Sequence, residues 1–126
     1  MREYLFRGKR IDNGEWVEGD LHKNKEFTKA HIHPIGERVK STDVIPETVG
    51  QYTGLTDKNG KKIFEGDVVK YRNTEMEFEG VGEVCWNEVL SAWLIGEHVA
   101  LYACTIRLYE VIGNIYDNPE LLEGDN

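Results

Sequence analysis

Histidines offer the first possible chemistry. His31-x-His33 lies in an alternating stretch, Ala30-His31-Ile32-His33-Pro34-Ile35. On a β-strand that spacing puts both imidazoles on one face, where neutral ring nitrogens could chelate a metal. A site needs at least one more ligand, for which His22 or Glu26 are the candidates. An exposed strand face explains the same pair equally well, so no metal is assigned. Cys85 and Cys104 are the only cysteines. A nucleophilic role would require a base such as His98 and an electropositive setting that lowers the thiol pKa. The neighbourhood is acidic instead. Val84-Cys85-Trp86 and Tyr102-Ala103-Cys104 read as apolar strand, the setting of buried thiols rather than of a disulfide. Glu65 and Asp67 are a carboxylate pair of the kind acid–base catalysis uses. Asp67 also fits a simpler role, capping a turn through its side-chain oxygen. No Gly-x-x-x-x-Gly-Lys-Ser/Thr or Gly-x-Gly-x-x-Gly loop is present to cradle a phosphate. The chain therefore reads as a non-enzyme without a cofactor.

The elements that must position these residues are strands joined by tight turns. The densest run is Gly50 to Tyr71. Asn59-Gly60 favours a type I′ hairpin, with Leu55 before it and Ile63 and Phe64 after it. Glu65-Gly66-Asp67 is a second reversal, where Gly66 supplies a backbone angle closed to most residues. Val68-Val69-Lys70-Tyr71 follows as a strand. Earlier, a strand from Tyr4 runs toward Ile11, Asp12-Asn13-Gly14 turns, and Glu15 to Glu18 returns. Trp16 is expected as a core or interface anchor, and Gly19-Asp20 as a bend. Lys23 to Lys29 is a polar turn around Phe27. Pro34 marks Ala30 to Ile35 as an edge strand. Gly36 to Asp43 is turn-rich, and Pro46 starts a short helical turn. Beyond Tyr71, Arg72 to Gly80 is a polar connection. Val81 to Trp86 is a strand with a bulge or close approach at Gly82, Asn87 to Ser91 turns, and Ala92 to Ile95 pairs back. His98 to Tyr102 reads as either strand or short helix. Leu108 to Tyr116 is the last strand, interrupted at Gly113. Asn118-Pro119 then starts a helical turn pinned by Leu121 and Leu122.

Composition fits this reading. The chain has 126 residues, 40% hydrophobic and 30% charged, as expected of one mainly β domain over residues 1–122 with a frayed acidic tail at 123–126. No apolar run reaches membrane-span length and no signal core follows Met1, which points to the cytoplasm. The net charge of −8 disfavours a nucleic-acid partner, since gripping phosphates needs clustered Lys and Arg. Glu75, Glu77, Glu79, Glu83 and Glu88 follow one another with no base between Arg72 and Arg107. Arg7, Lys9 and Arg10, and again Lys58, Lys61 and Lys62, read as solvated hairpin tips.

Three stretches carry a resemblance. Gly50-Gln51-Tyr52-Thr53-Gly54-Leu55, continued by Asp57 to Val69, is similar to the hallmark of the YopX-like phage and prophage proteins. Phe6-Arg7-Gly8-Lys9 through Leu21 and Val111-Ile112-Gly113-Asn114-Ile115-Tyr116-Asp117-Asn118-Pro119-Glu120-Leu121-Leu122 match in the expected order. The resemblance implies a phage origin and an SH3-like barrel roll, here with hairpin extensions and the short C-terminal helical turn. It implies no established activity.

Two function classes follow. The first is a non-catalytic accessory module that binds a host or phage protein in the host cytoplasm. The second is a small-molecule binder of nucleotide type, acting in counter-defence. Tyr52, Arg7, Lys61 and Trp93 are the candidate binding residues, aromatics able to stack or anchor and bases able to hold an anion. Three tryptophans, six tyrosines and four phenylalanines are hard to bury in a small core. Edges at Ala30–Ile35 and Ala92–Ile95 would therefore pair two copies into a homo-oligomer.

Overall fold

The computed structural model describes residues 4–34, 40–73, 75, 77–96, 99–101 and 107–123. Cys104, His98 and residues 124–126 of the expected tail at 123–126 lie outside them. Of the described residues, 58% are in strands and 7% in short helical turns, so the chain is mainly β. The strands are β1 Phe6–Lys9, β2 Trp16–Lys23, β3 Ala30–Pro34, β4 Thr42–Val44, β5 Gly50–Thr56, β6 Lys62–Phe64, β7 Asp67–Asn73, β8 Phe78–Asn87, β9 Ala92–Ile95, β10 Val99–Ala100 and β11 Arg107–Asn114. Two 3-10 turns, Pro46–Thr48 and Pro119–Leu122, each carry proline at the first turn as expected.

The chain packs as two compact units, Met1–Tyr52 and Thr53–Asn126. The division falls inside β5, which is why no linker composition announces it.

In the first unit the strand order is β4-β3-β2-β1-β5. Ile32 and Val44 are fully buried and Ala30 nearly so, with Phe6, Val17, Leu21 and Val49 packed around them. Alternation explains this directly: Ala30 and Ile32 face inward, while His31 and His33 point to the other side. Gly8 lies where a Cβ would come within 2.9 Å of Val44. Beyond β4, an isolated bridge joins Val44 to Arg10. Ile45 N–H donates to the Lys9 carbonyl at 2.8 Å and Ile11 N–H to the Asp43 carbonyl at 3.1 Å.

Two expectations change here. β3 is not an edge: Ala30, His31 and Ile32 pair with Val44, Asp43 and Thr42 of β4. Because β4 is only three residues long, its pairing stops at Ile32, and Pro34 sits past that limit, opposite Gly19 of β2. Gly19 is no bend. It lies inside β2, and a Cβ there would fall 2.0 Å from the His33 carbonyl oxygen, so the position admits only glycine without moving β3.

In the second unit the far end of β5 adjoins β6, and a five-stranded antiparallel sheet runs β10-β9-β8-β7-β11. Ile63, Val69, Val84, Ile95, Leu101 and Tyr109 form its core. β9 pairs with both β8 and β10, so Ala92–Ile95 is not an edge either. Gly66 takes φ 92° in the reversal, and Asp67 caps it, accepting from Phe64 N–H at 2.7 Å. The register of β11 shifts between Val111 and Gly113, the expected interruption. A Cβ at Gly82 would meet Ile95 at 2.9 Å, the expected close approach.

The Asn59-Gly60 turn has a different form from the type I′ expected. Gly60 is at φ 82°, but Asn59 is not in the positive region. Gly60 N–H donates to the Asp57 carbonyl at 3.0 Å and Asp57 N–H to the Lys61 carbonyl at 2.8 Å. This is a three-residue loop, a type I turn followed by one left-handed glycine. Asn118 also differs: its side chain does not cap the helical turn but accepts from Asn114 N–H at 3.3 Å. Leu121 packs over Gly113, whereas Leu122 remains 42% exposed. Both strand orders are open, and a closed barrel is not among their pairings.

Candidate functional site

The four candidate binding residues divide between the units. Arg7 and Tyr52 occupy one face of the first unit, since Arg7 pairs with Gly50 and Tyr52 N–H donates to the Leu5 carbonyl at 2.8 Å. Both side chains are buried, at 8% exposure each. The Arg7 guanidinium lies 4.7 Å from the Trp16 ring centre, and the Lys9 ammonium 6.0 Å from it. Trp16 is thus a half-buried platform for two cations. Lys61 and Trp93 belong to the second unit. Lys61 is exposed at the end of the three-residue loop. Trp93 is half-buried against the core and meets Trp86 of β8 edge to face, ring centres 5.1 Å apart. None of the four lines the clefts described next.

In the second unit, β7, β8 and β11 present Lys70, Arg72, Glu79 and Glu110 on one sheet face around a groove of about 150 Å³. Opposite charges face each other across the strands: Lys70 is partnered with Glu110 and Arg72 with Glu79. Lys58 adds an ion pair to Glu110 at 3.4 Å. Lys70, Arg72 and Glu79 are exposed and Glu110 half-buried, with opposite charges set across the strands, the pattern of a solvated sheet face.

Asp57 carries the most elaborate carboxylate geometry. It is 7% exposed. One oxygen accepts from Asn59 N–H and Lys61 N–H at 2.9 Å each, and the other accepts from Val111 N–H at 2.9 Å. Burial pushes its pKa upward, but the backbone donors Val111, Lys61 and Asn59 outweigh it, so the carboxyl lies below its ordinary value. Its lone pairs are committed to the backbone, and its role is architectural. Cys85 is a free thiol whose sulfur contacts the Gly96 carbonyl at 3.4 Å. Burial, then Glu83 and Glu65, raise its pKa, the opposite of an activated nucleophile. Among the described residues no three His, Cys, Asp or Glu side chains converge as a metal site.

Two surfaces escape the sequence reading. The first is the tip of the β8–β9 hairpin. Val89 is 92% exposed, Leu90 64% and Trp86 39%. The turn is fixed by Leu90 N–H donating to Asn87 Oδ1 at 2.8 Å, with Ser91 held at φ 50°. An apolar turn dipeptide between two tryptophans was the available signal, at Trp86, Val89-Leu90 and Trp93. The second is a cleft of about 540 Å³ in the first unit, between the Lys23–Lys29 turn and the β4 segment. His22 and His31 are cross-strand partners on its wall, their rings near-parallel at 22° with centres 5.4 Å apart. Finding that pair required the β2–β3 register, which the Asn24 turn sets.

Comparison with known proteins bears on this geometry. The YopX protein family model matches residues 5–123. The structure is similar to the crystal structure of protein EF1440 from Enterococcus faecalis, with a TM-score of 0.58 and 25% sequence identity. That likeness covers 97% of this chain and 99% of that one. No curated protein matches. With nearly its whole length inside the family model, the chain belongs to the YopX protein family.

Proposed function

We propose that this YopX-family protein is a phage or prophage accessory protein acting as a non-catalytic interaction module. It docks on a host or phage protein through the tip of the β8–β9 hairpin. The observation that carries the reading is the adjacent exposure of Val89, Leu90 and Trp86 on a hydrogen-bonded turn. Contiguous apolar surface on a polar rim is the anatomy of a binding hot spot. Glu88 lies in the same turn, and the whole chain carries −8. The complementary partner has an apolar pocket edged with Lys or Arg, and the charges steer its approach.

The SH3-like barrel roll implied by the family resemblance is supported by the bridge between Arg10 and Val44, which links the end of β1 to β4. No described helix is long and apolar enough to cross a membrane, and the host cytoplasm is the proposed compartment. The same apolar tip, rather than the strand edges, is the surface through which two copies would pair. A mass by light scattering that stays monomeric at all concentrations removes that pairing.

Affinity purification from infected or expressing cells, at low and high salt, tests the reading. The expected result is a recurring protein partner whose recovery falls as salt rises. Reproducible absence of a protein partner overturns it.

A further inference from the structure

The first unit contains a cleft that the docking hairpin does not use. Its volume of about 540 Å³ falls inside the range of sites that hold small ligands. The apolar part of its lining includes Pro46 and the 62%-exposed Ile11. One wall is a turn locked by a single side chain. Asn24 Oδ1 accepts from Thr28 N–H at 2.9 Å and Lys29 N–H at 3.0 Å, while Asn24 Nδ2 donates to Thr28 Oγ1 at 2.8 Å. The wall is therefore set before any ligand arrives.

Three kinds of recognition chemistry meet there. His22 and His31 present stacked, near-parallel rings, a surface that a planar heterocycle extends. Lys23 and Lys29 place two cations on the turn side, in a chain whose net charge is −8. Lys23 is steadied by the Phe27 ring, 5.0 Å from its ammonium. Asp43 continues the cross-strand row, opposite His31 on β4, and its carboxylate accepts hydrogen bonds from hydroxyl or amino groups. A flat base, a hydroxyl-bearing sugar and an anionic group match these three kinds of chemistry.

We infer that this cleft binds a nucleoside monophosphate. Its base stacks on the His22–His31 pair, its sugar hydroxyls or exocyclic amine reach Asp43, and its phosphate meets Lys29 and Lys23. A free nucleotide fits better than a nucleic-acid strand, because the surrounding acidic chain repels a longer phosphate backbone.

Isothermal titration calorimetry on the full chain tests this, with the four ribonucleoside monophosphates, adenosine and inorganic phosphate as probes. One saturable site for at least one monophosphate is expected, tighter than for adenosine or phosphate alone. His22 and Lys29 are exposed, so their variants keep the fold, which circular dichroism verifies. His22→Ala is expected to weaken the monophosphate about tenfold, and His22→Phe to restore most of that loss. Lys29→Glu should weaken the monophosphate about tenfold while leaving adenosine unchanged. Absence of saturable binding at millimolar nucleotide overturns the inference, as does binding unaffected by His22→Ala and Lys29→Glu. Tighter binding of a short single-stranded RNA than of any mononucleotide overturns the choice of ligand. Each of these results stands apart from the protein docking proposed above, which uses the other unit.

Discussion

Two hairpin turns of the second unit solve the same geometric problem in opposite ways. The turn from Asp57 to Lys61 is sewn into the fold. Asp57 gathers three backbone N–H groups, one of them on Val111, and Lys58 N–H donates to the Tyr109 carbonyl at 2.9 Å. The turn from Glu88 to Ser91 uses one side-chain bond, from Leu90 N–H to Asn87, and leaves Val89 and Leu90 in water. The first commits its chemistry to stability. The second is held only locally, and its apolar side chains are available to something outside the chain. That contrast separates a carboxylate with an architectural role from the surface for which docking is proposed.

The largest expected effect is at the anchored turn. Asp57→Ala leaves three N–H groups without their acceptor and should destabilise by about 3 kcal/mol, read by urea denaturation. The same carboxylate sets a pH dependence. Its folded pKa is lowered, so its stabilisation is complete above the unfolded carboxyl pKa, near about 4. It is lost as pH falls through the folded value. Denaturant midpoints measured from neutral pH into the acid range should fall more steeply for the natural chain than for Asp57→Asn.

Smaller effects follow at the hairpin tip. Trp86→Ala removes the edge-to-face contact with Trp93 and should destabilise by about 1 kcal/mol. Back in the anchored turn, Gly60→Ala forces a side chain onto φ 82° and should also cost about 1 kcal/mol. Val89→Ser combined with Leu90→Ser should change stability by less than about 0.5 kcal/mol, because neither side chain is buried. A large loss of stability in that double variant would show that the tip packs against its own chain, and the contrast between the turns would fail.

Local signals were the legible ones. Gly66, Pro46, Pro119, Gly82 and the interruption at Gly113 each declare a backbone requirement that neighbouring residues cannot mask. Asn59-Gly60 marked the right place but the wrong turn, because the Asp57 carboxylate stabilises the longer loop by reaching Val111, 54 residues away. Pro34 misled through a hidden length: a proline is tolerated in an internal strand when the neighbouring strand ends before it. Trp16 reads as a core or interface anchor, and only the register, which sets it opposite Lys9 and beside Arg7, shows that it lies half-buried on the face away from the β3–β4 core. The candidate sites were less legible still. His22 and His31 become neighbours only once the β2–β3 register is fixed, and the turn from Asn87 to Ser91, itself legible, does not declare that its Val89 and Leu90 stay exposed.

The docking role of the β8–β9 tip is the central claim, and one comparison tests it most directly. The natural chain and the Val89→Ser, Leu90→Ser double variant, matched for thermal stability, are used to capture proteins from the same lysate with quantitative mass spectrometry. The account predicts that the recurring partner is retained by the natural chain and lost from the variant. Equal recovery of that partner by both proteins would contradict it.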